Sequence, residues 1–85
     1  MKIFLRPKFR RQFSKLTKDI QKEAYKKISI FRKNPFNPKL KTHKLKGRLE
    51  RRWSFSINYN HRIIFTFINK EEVKFDLIGD HKIYK

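Results

Sequence analysis

The segment HRIIFTFIN, residues 61–69, constrains the fold more than any other part of the chain. Read as a strand, it carries Ile63 and Phe65 on one face and Ile64 on the other. A strand that is apolar on both faces belongs inside a sheet, where both of its surfaces are covered. The segment therefore predicts a central strand.

Two flanking segments alternate apolar and polar residues, as half-buried strands do. RWSFSIN places Trp53, Phe55 and Ile57 on one face, and EVKFDLI does the same with Val73, Phe75 and Leu77. The links to the central strand, NYN and NKE, are short enough for hairpins between antiparallel neighbours. These segments predict a three-strand antiparallel meander.

The N-terminal half predicts one strand and two helices. Residues 1–6 alternate as a short strand, and Pro7 suits the first turn of a helix. Thr17 is suited to cap a second helix, which NPFNP ends. The apolar positions recur at helical spacing: Phe9, Phe13 and Leu16 in the first helix, and Ile20, Ala24, Ile28 and Phe31 in the second. We predict an α+β fold, in which a strand, a helix pair and the meander form one domain, residues 1–85, with the sheet packed on the helices.

Composition excludes several classes of protein. With no cysteine, the chain has neither disulfides nor thiolate metal ligands, and a cytoplasmic location fits best. No apolar run approaches a membrane span, and the N-terminus lacks the apolar core of a signal peptide. Because the chain has only two glycines and no metal-ligand spacing, we expect no phosphate-binding loop, metal or cofactor.

Charge is the strongest indication of a partner. Twenty-four Lys and Arg residues stand against seven Asp and Glu residues, which gives a net charge of +17. So dense a positive charge indicates a polyanion, whether nucleic acid, anionic membrane or acidic protein. A membrane role for the basic helices fits least, because the core needs their apolar stripes.

Four residues are candidates for a site at one end of the meander: His43, Arg62, His81 and Tyr84. An antiparallel meander brings the start of its middle strand next to the end of its last, and the lead-in with His43 can pack alongside. Metal-independent RNA cleavage needs a base, an acid and fixed positive charge on the phosphate. Imidazoles and arginine suit these roles, and tyrosine can stack on a base or donate a proton.

Each candidate also has a structural explanation. The histidines and Arg62 can be solvated surface groups, and Tyr84 can pack a chain terminus. His61 adjoins a tight turn. Glu50 can serve as a base, but a salt bridge within RLERR is the simpler interpretation. Asp80 either orients an imidazole or turns the chain after Gly79.

Several motifs together resemble the RelE/ParE superfamily of bacterial toxin–antitoxin toxins. They are Leu45-Lys46-Gly47, the Trp53-Ser54 pair, Arg62 at the start of an apolar strand, and Gly79-Asp80-His81. The chain is most similar to the messenger-RNA interferases of the YafQ and YoeB branch, and the similarity extends over nearly the whole chain. The resemblance implies the same strand, helix-pair and meander order.

By that resemblance, His81 is the C-terminal catalytic histidine, a general acid in most accounts. His43 stands where YafQ-like members have a catalytic histidine and YoeB-like members a glutamate base. Arg62 corresponds to the phosphate-stabilising arginine of YoeB-like members, and Tyr84 to the terminal aromatic residue. Because His61-Arg62 replaces the Asp-Trp of many YafQ-like toxins, the set mixes two branches, and the division of acid and base between the histidines stays open.

The resemblance implies a ribosome-dependent endoribonuclease that cuts messenger RNA in the A site. Its partners are the ribosome, the message and an antitoxin whose acidic or amphipathic segment covers the basic surface. The predicted RNA-binding residues are basic neighbours of the site: Lys44, Lys46, Arg48, Arg51, Arg52 and Lys82. Two alternatives remain, a ParE-like inhibitor of DNA gyrase and a non-catalytic nucleic-acid-binding module.

Overall fold

A computed structural model describes residues 1–47 and 51–84 of the chain. Two helices follow a first strand, and four further strands complete the sheet. The strands are β1 (Lys2–Leu5), β2 (His43–Lys44), β3 (Trp53–Ser56), β4 (Arg62–Phe67) and β5 (Glu72–Gly79). The α-helices are α1 (Pro7–Ser14) and α2 (Lys18–Lys33), and short 3₁₀ helices span Pro38–Leu40 and His81–Tyr84. The predicted α+β class and element order are confirmed.

Local signals explain where the helices begin. Pro7 occupies the first turn of α1, where backbone N–H groups have no partner within the helix, so its missing N–H costs no hydrogen bond. At the start of α2 the Thr17 side chain accepts a hydrogen bond from the Ile20 backbone N–H at 3.4 Å, as predicted for an N-cap. Neither α-helix is long and apolar enough to cross a membrane, and no other helix in the described part of the chain is either.

The five strands form one mixed sheet in the order β1-β5-β4-β3-β2. Strands β3, β4 and β5 are the predicted antiparallel meander, with β4 in the middle. The sequence did not predict the two edges. Strand β1 pairs in parallel with β5, and β2 pairs antiparallel with β3.

The core lies between the helices and one face of the sheet. Phe31 of α2 is fully buried, and its ring lies against those of Phe55, Phe65 and Phe75. Phe9 of α1 joins the same cluster. The opposite sheet face, which we call the open face, carries Ser54, Arg62, Ile64 and Thr66, because side chains alternate along β3 and β4.

The predicted alternation in β5 fails at Leu77. Ile64 pairs with Leu77 and Phe65 with Phe75, so Asp76 is an extra residue in a β-bulge. Because of this extra residue, the next core-facing position of β5 is Ile78, which is buried. Leu77 instead lies half-buried on the open face. The prediction that Leu77 shares a face with Val73 and Phe75 was wrong, because regular alternation cannot anticipate an inserted residue.

Candidate functional site

Arg62 and the C-terminal residues meet at one end of the open face. Arg62 begins β4 and pairs with Gly79, the last residue of β5, and His81 follows two residues later in the 3₁₀ helix. Tyr84 ends that helix. The antiparallel pairing thus places Arg62 beside the segment that carries His81, which is the juxtaposition expected from the sequence.

His43 lies on the same face, two strands away from Arg62. It pairs with Ser54 of β3, and Arg62 Nη1 donates a hydrogen bond to Ser54 Oγ at 3.4 Å. The guanidinium of Arg62 therefore extends over β3 towards the strand that carries His43. Ser54 is fully buried beneath it.

The ring of His43 is held in one tautomer by the backbone. His43 Nδ1 lies 3.1 Å from the carbonyl oxygen of Lys41. A carbonyl only accepts hydrogen bonds, so in this contact Nδ1 carries the proton. In the neutral ring Nε2 is then left with a free lone pair, and such a nitrogen accepts a proton. Lys41 itself has a left-handed backbone with φ 51°, which is uncommon for a residue other than glycine.

The segment before His81 carries a carboxylate that is ionised at neutral pH. The pKa of Asp80 lies below its usual value of 3.8, first because the Lys82 backbone N–H donates a hydrogen bond to it. That bond is 2.9 Å long. The positive charges of Lys82, His81 and His61 lower the pKa further. Asp80 therefore caps the 3₁₀ helix as an anion and is electrostatically linked to two histidines.

Gly79 provides the space in which the C-terminal 3₁₀ helix folds back on β5. A Cβ atom at this position would lie 2.6 Å from Ile83 Cγ2, whereas ordinary van der Waals contact begins at 3.4 Å. Ile83 is β-branched, and Cγ2 is attached directly to its Cβ, so this methyl group has little freedom to move away. The position of the helix that carries His81 therefore depends on a glycine at residue 79.

The predicted RNA-binding residues do not all lie on the open face: Lys44 pairs with the core-facing Trp53, so its side chain projects to the helix side. Lys44, Lys46 and Arg51 are exposed and line a shallow depression with Leu45 and Gly47. Arg52 is half-buried, and its carbonyl accepts a hydrogen bond from the Leu45 backbone N–H at 2.9 Å. Lys82 is exposed beside Asp80.

Three predictions fall outside what the structure describes. They are the RNA-binding role of Arg48, the salt bridge of Glu50 and the role of the Tyr84 side chain.

Sequence reasoning did not find three groups near the site. They are Ser54 as the partner of Arg62, the Lys41 carbonyl that fixes His43, and the buried carboxylate of Asp76. Asp76 Oδ2 accepts a hydrogen bond from Thr66 Oγ1 at 2.7 Å, and Oδ1 lies 3.9 Å from Arg6 Nε. An acidic residue within the apolar EVKFDLI run was the only available signal for Asp76. Ser54 belonged to the Trp53-Ser54 motif, but nothing local indicated its contact with Arg62, and nothing local marks the Lys41 carbonyl.

The architecture matches solved toxin structures along almost its full length. YafQ from E. coli strain BL21(DE3) superposes with a TM-score of 0.80 at 13% identity, over 96% of this chain and 94% of that one. A YoeB/ParE toxin from Agrobacterium tumefaciens gives 0.79 at 18% identity, over 95% and 99%. The chain has the RelE/ParE toxin fold. The Staphylococcus aureus YoeB–YefM complex gives 0.76 at 21% identity, over 95% and 97%.

The similarity is structural. No protein-family model and no curated protein sequence matches the chain. At identities of this size the RelE/ParE fold is established, while the chemistry has to be argued from the side chains on the open face.

Proposed function

We propose that this protein is the toxin of a toxin–antitoxin pair and cleaves messenger RNA in the ribosomal A site without a metal ion. The observation that carries the proposal is the placement of His43, Arg62 and the His81 segment on one end and face of a RelE/ParE fold. These are the acid–base groups and the fixed positive charge that RNA cleavage requires.

His43 is the general base in this proposal. Its Nε2 lone pair takes the proton of the ribose 2′-hydroxyl, and the Lys41 carbonyl holds the ring in the required tautomer. The 2′-oxygen then attacks the adjacent phosphorus and forms a new P–O bond. This assigns the role that the sequence left open between the two histidines.

Arg62 and His81 complete the reaction. The planar guanidinium of Arg62 binds the non-bridging phosphate oxygens, on which negative charge grows as the 2′-oxygen attacks. His81 protonates the 5′-oxygen as the P–O5′ bond breaks, which leaves a 2′,3′-cyclic phosphate and a free 5′-hydroxyl. Asp80 is already ionised, because its pKa lies below the usual value for a carboxyl, and it cannot supply that proton. Tyr84 is proposed to stack on a base beside the leaving group.

The positive charge supports a ribosomal target. At +17, the chain is suited to bind ribosomal RNA through many weak, salt-dependent phosphate contacts. Lys44, Lys46, Arg51 and Lys82 are exposed and are proposed to contribute such contacts, together with Arg48 and Arg52.

An antitoxin is the proposed protein partner. Staphylococcus aureus YoeB has been solved in complex with YefM. The basic surface of this chain calls for an acidic segment. An apolar groove on the helix side, lined by Leu5, Phe9, Phe13, Tyr25 and Ile28, calls for an amphipathic one. Arg10 and Arg32 flank that groove, so one acidic amphipathic segment suits both requirements.

The proposal is tested on ribosomes programmed with a defined message, with RNA ends mapped by primer extension. We expect cuts within the A-site codon, none in naked message under the same conditions, and 5′-hydroxyl ends on the downstream fragment. If folded protein makes no ribosome-dependent cut, the proposal fails. A DNA gyrase supercoiling assay on the same sample then tests the ParE-like alternative.

Gly79→Ala is expected to slow A-site cleavage about ten- to a hundred-fold while the protein stays folded. The new Cβ displaces Ile83 and, with it, the helix that carries His81, and errors of about 1 Å in a catalytic group have effects of this order. The rate is followed by primer extension, and the fold by circular dichroism and thermal unfolding.

The double variant Gly79→Ala/Ile83→Ala is the decisive control. It removes the methyl group with which the new Cβ collides, so most of the lost activity should return. Ile83→Ala alone measures the effect of losing that side chain. If the double variant is as slow as Gly79→Ala, the close contact between residues 79 and 83 does not set the position of His81.

A further inference from the structure

The edge strand β1 presents a row of three large side chains on the open face. Ile3 packs towards the core, so alternation places Lys2 and Phe4 on the opposite side. Arg6 continues the row, because its backbone is extended and its N–H donates to the Phe75 carbonyl at 3.1 Å. Lys74 of β5 pairs with Phe4 and lies on the same face. We call Lys2, Phe4, Arg6 and Lys74 the edge strip.

The edge strip combines an accessible aromatic ring with positive charge. Phe4 is 40% exposed although it stands on a sheet face, and Lys2 Nζ lies 5.2 Å from its ring centroid. Arg6 follows the end of β1, one alternation step from Phe4, and Lys74 stands beside Phe4 on β5, about 5 Å away across the strands. An exposed ring between cations on a β-sheet is an arrangement that binds single-stranded nucleic acid, since bases stack on the ring and phosphates pair with the cations.

The acidic residues near the strip decide which cations are available for phosphate. Asp76 is buried, and its Oδ1 lies 3.9 Å from Arg6 Nε. Glu72 pairs with Lys2 in the sheet and accepts a hydrogen bond from Asn69 Nδ2 at 2.7 Å. These two carboxylates weaken phosphate binding at Arg6 and Lys2 alike, but Lys2 is also engaged with the Phe4 ring, whereas 52% of the Arg6 side chain is exposed. We therefore assign the phosphate contacts to Arg6 and Lys74.

The strip is continuous with the candidate site. From Gly79, the partner of Arg62, strand β5 runs along the open face to Lys74, a distance of about 17 Å. Between the two ends, the half-buried Leu77 lies on the same face, paired with the fully buried Ile64.

We propose that the edge strip binds single-stranded RNA next to the cleavage site, with a base stacked on Phe4 and phosphates paired with Arg6 and Lys74. The inference rests on the proposed function in that the bound RNA is taken to be the substrate. It extends that function by assigning the path of the strand across β5 to β1.

The test is equilibrium binding of a short, fluorescently labelled single-stranded RNA in which every ribose is 2′-O-methylated, so that it cannot be cleaved. We expect Phe4→Ala to weaken binding about ten-fold or more, as for other base–aromatic stacks. Phe4→Leu should be similarly weak, because it retains the apolar contact but lacks a ring, whereas Phe4→Trp should bind at least as well as wild type. Arg6→Gln should weaken binding and lower the slope of log affinity against log salt by about one.

Matched controls lie away from the open face. Phe36→Ala removes a more exposed ring, which packs against Trp53 and Phe67, and Lys26→Gln removes an exposed cation. Both variants should bind like wild type. A duplex RNA of the same length should bind without sensitivity to Phe4→Ala, because its bases are already stacked. Equal binding by folded wild type, Phe4→Leu and Arg6→Gln would overturn the proposal.

This test does not depend on whether the proposed nuclease activity is correct, because the binding assay involves neither ribosomes nor cleavage. If RNA binding depends on Phe4 but the protein cuts no message on ribosomes, the edge-strip proposal stands and the nuclease proposal fails. If the protein cleaves in the A site but its RNA binding is unaffected by changes at Phe4 and Arg6, the nuclease proposal stands and the edge-strip proposal fails.

Discussion

We expect His81→Ala to cleave the A-site codon about 10²- to 10⁴-fold more slowly than wild type, the range over which positioned acids and bases act. The 5′-oxygen is a poor leaving group as an alkoxide, so losing its proton donor slows bond breaking. The first measurement is the single-turnover rate of primer-extension cuts. A His81→Ala variant that cuts like wild type would contradict the assignment.

A modified message separates the two histidines. If the bridging 5′-oxygen at the cleavage site is replaced by sulfur, the leaving group departs as a thiolate and needs no proton. We expect this message to restore cleavage by His81→Ala and to leave His43→Ala slow, because the base is still required. Rescue of His43→Ala in place of His81→Ala would reverse the roles.

The pH dependence provides a second criterion. Wild type should show a bell-shaped rate profile, whose acid limb reports the base and whose alkaline limb reports the acid. His43→Ala should lose the acid limb, and His81→Ala the alkaline limb. Asp80 contributes no limb near neutrality, because its pKa lies below the usual value for a carboxyl.

Phe31→Ala should have the largest effect on stability, a loss of about 3–5 kcal/mol in the free energy of unfolding. The ring is fully buried and lies 4.6 Å from that of Phe55, 5.0 Å from Phe65 and 5.5 Å from Phe75, measured between centroids. Its removal leaves a cavity where α2 meets three strands. Since a chain of this size has only about 4–13 kcal/mol of stability, the loss is a large part of the total.

Phe36→Ala is the matched control for this prediction. It is the same substitution at a ring that is 54% exposed, although the ring contacts Trp53 and Phe67. Its loss should stay near 1 kcal/mol. Urea unfolding gives both values, and comparable losses at residues 31 and 36 would show that the α2–sheet cluster is not the centre of the fold.

Local patterns were sufficient for the elements of this fold. The Thr17 cap, the Pro7 start of α1 and the central position of β4 followed from short stretches of sequence, because each depends on neighbouring residues. The bulge at Asp76 did not follow, since it depends on how β5 pairs with β4. The parallel pairing of β1 with β5 joins residues about seventy positions apart, and no local pattern records it.

The charge, the strand and helix segments and the set of site candidates follow from residue type and spacing alone. Which of these candidates share a face depends on the tertiary fold. Strand register places Ser54 between His43 and Arg62, and a left-handed Lys41 aims its carbonyl at the His43 ring. The same register gathers Phe4, Arg6 and Lys74 into one strip. In a sheet, a shift of one residue moves every side chain to the other face, and that register is fixed by pairing between distant strands.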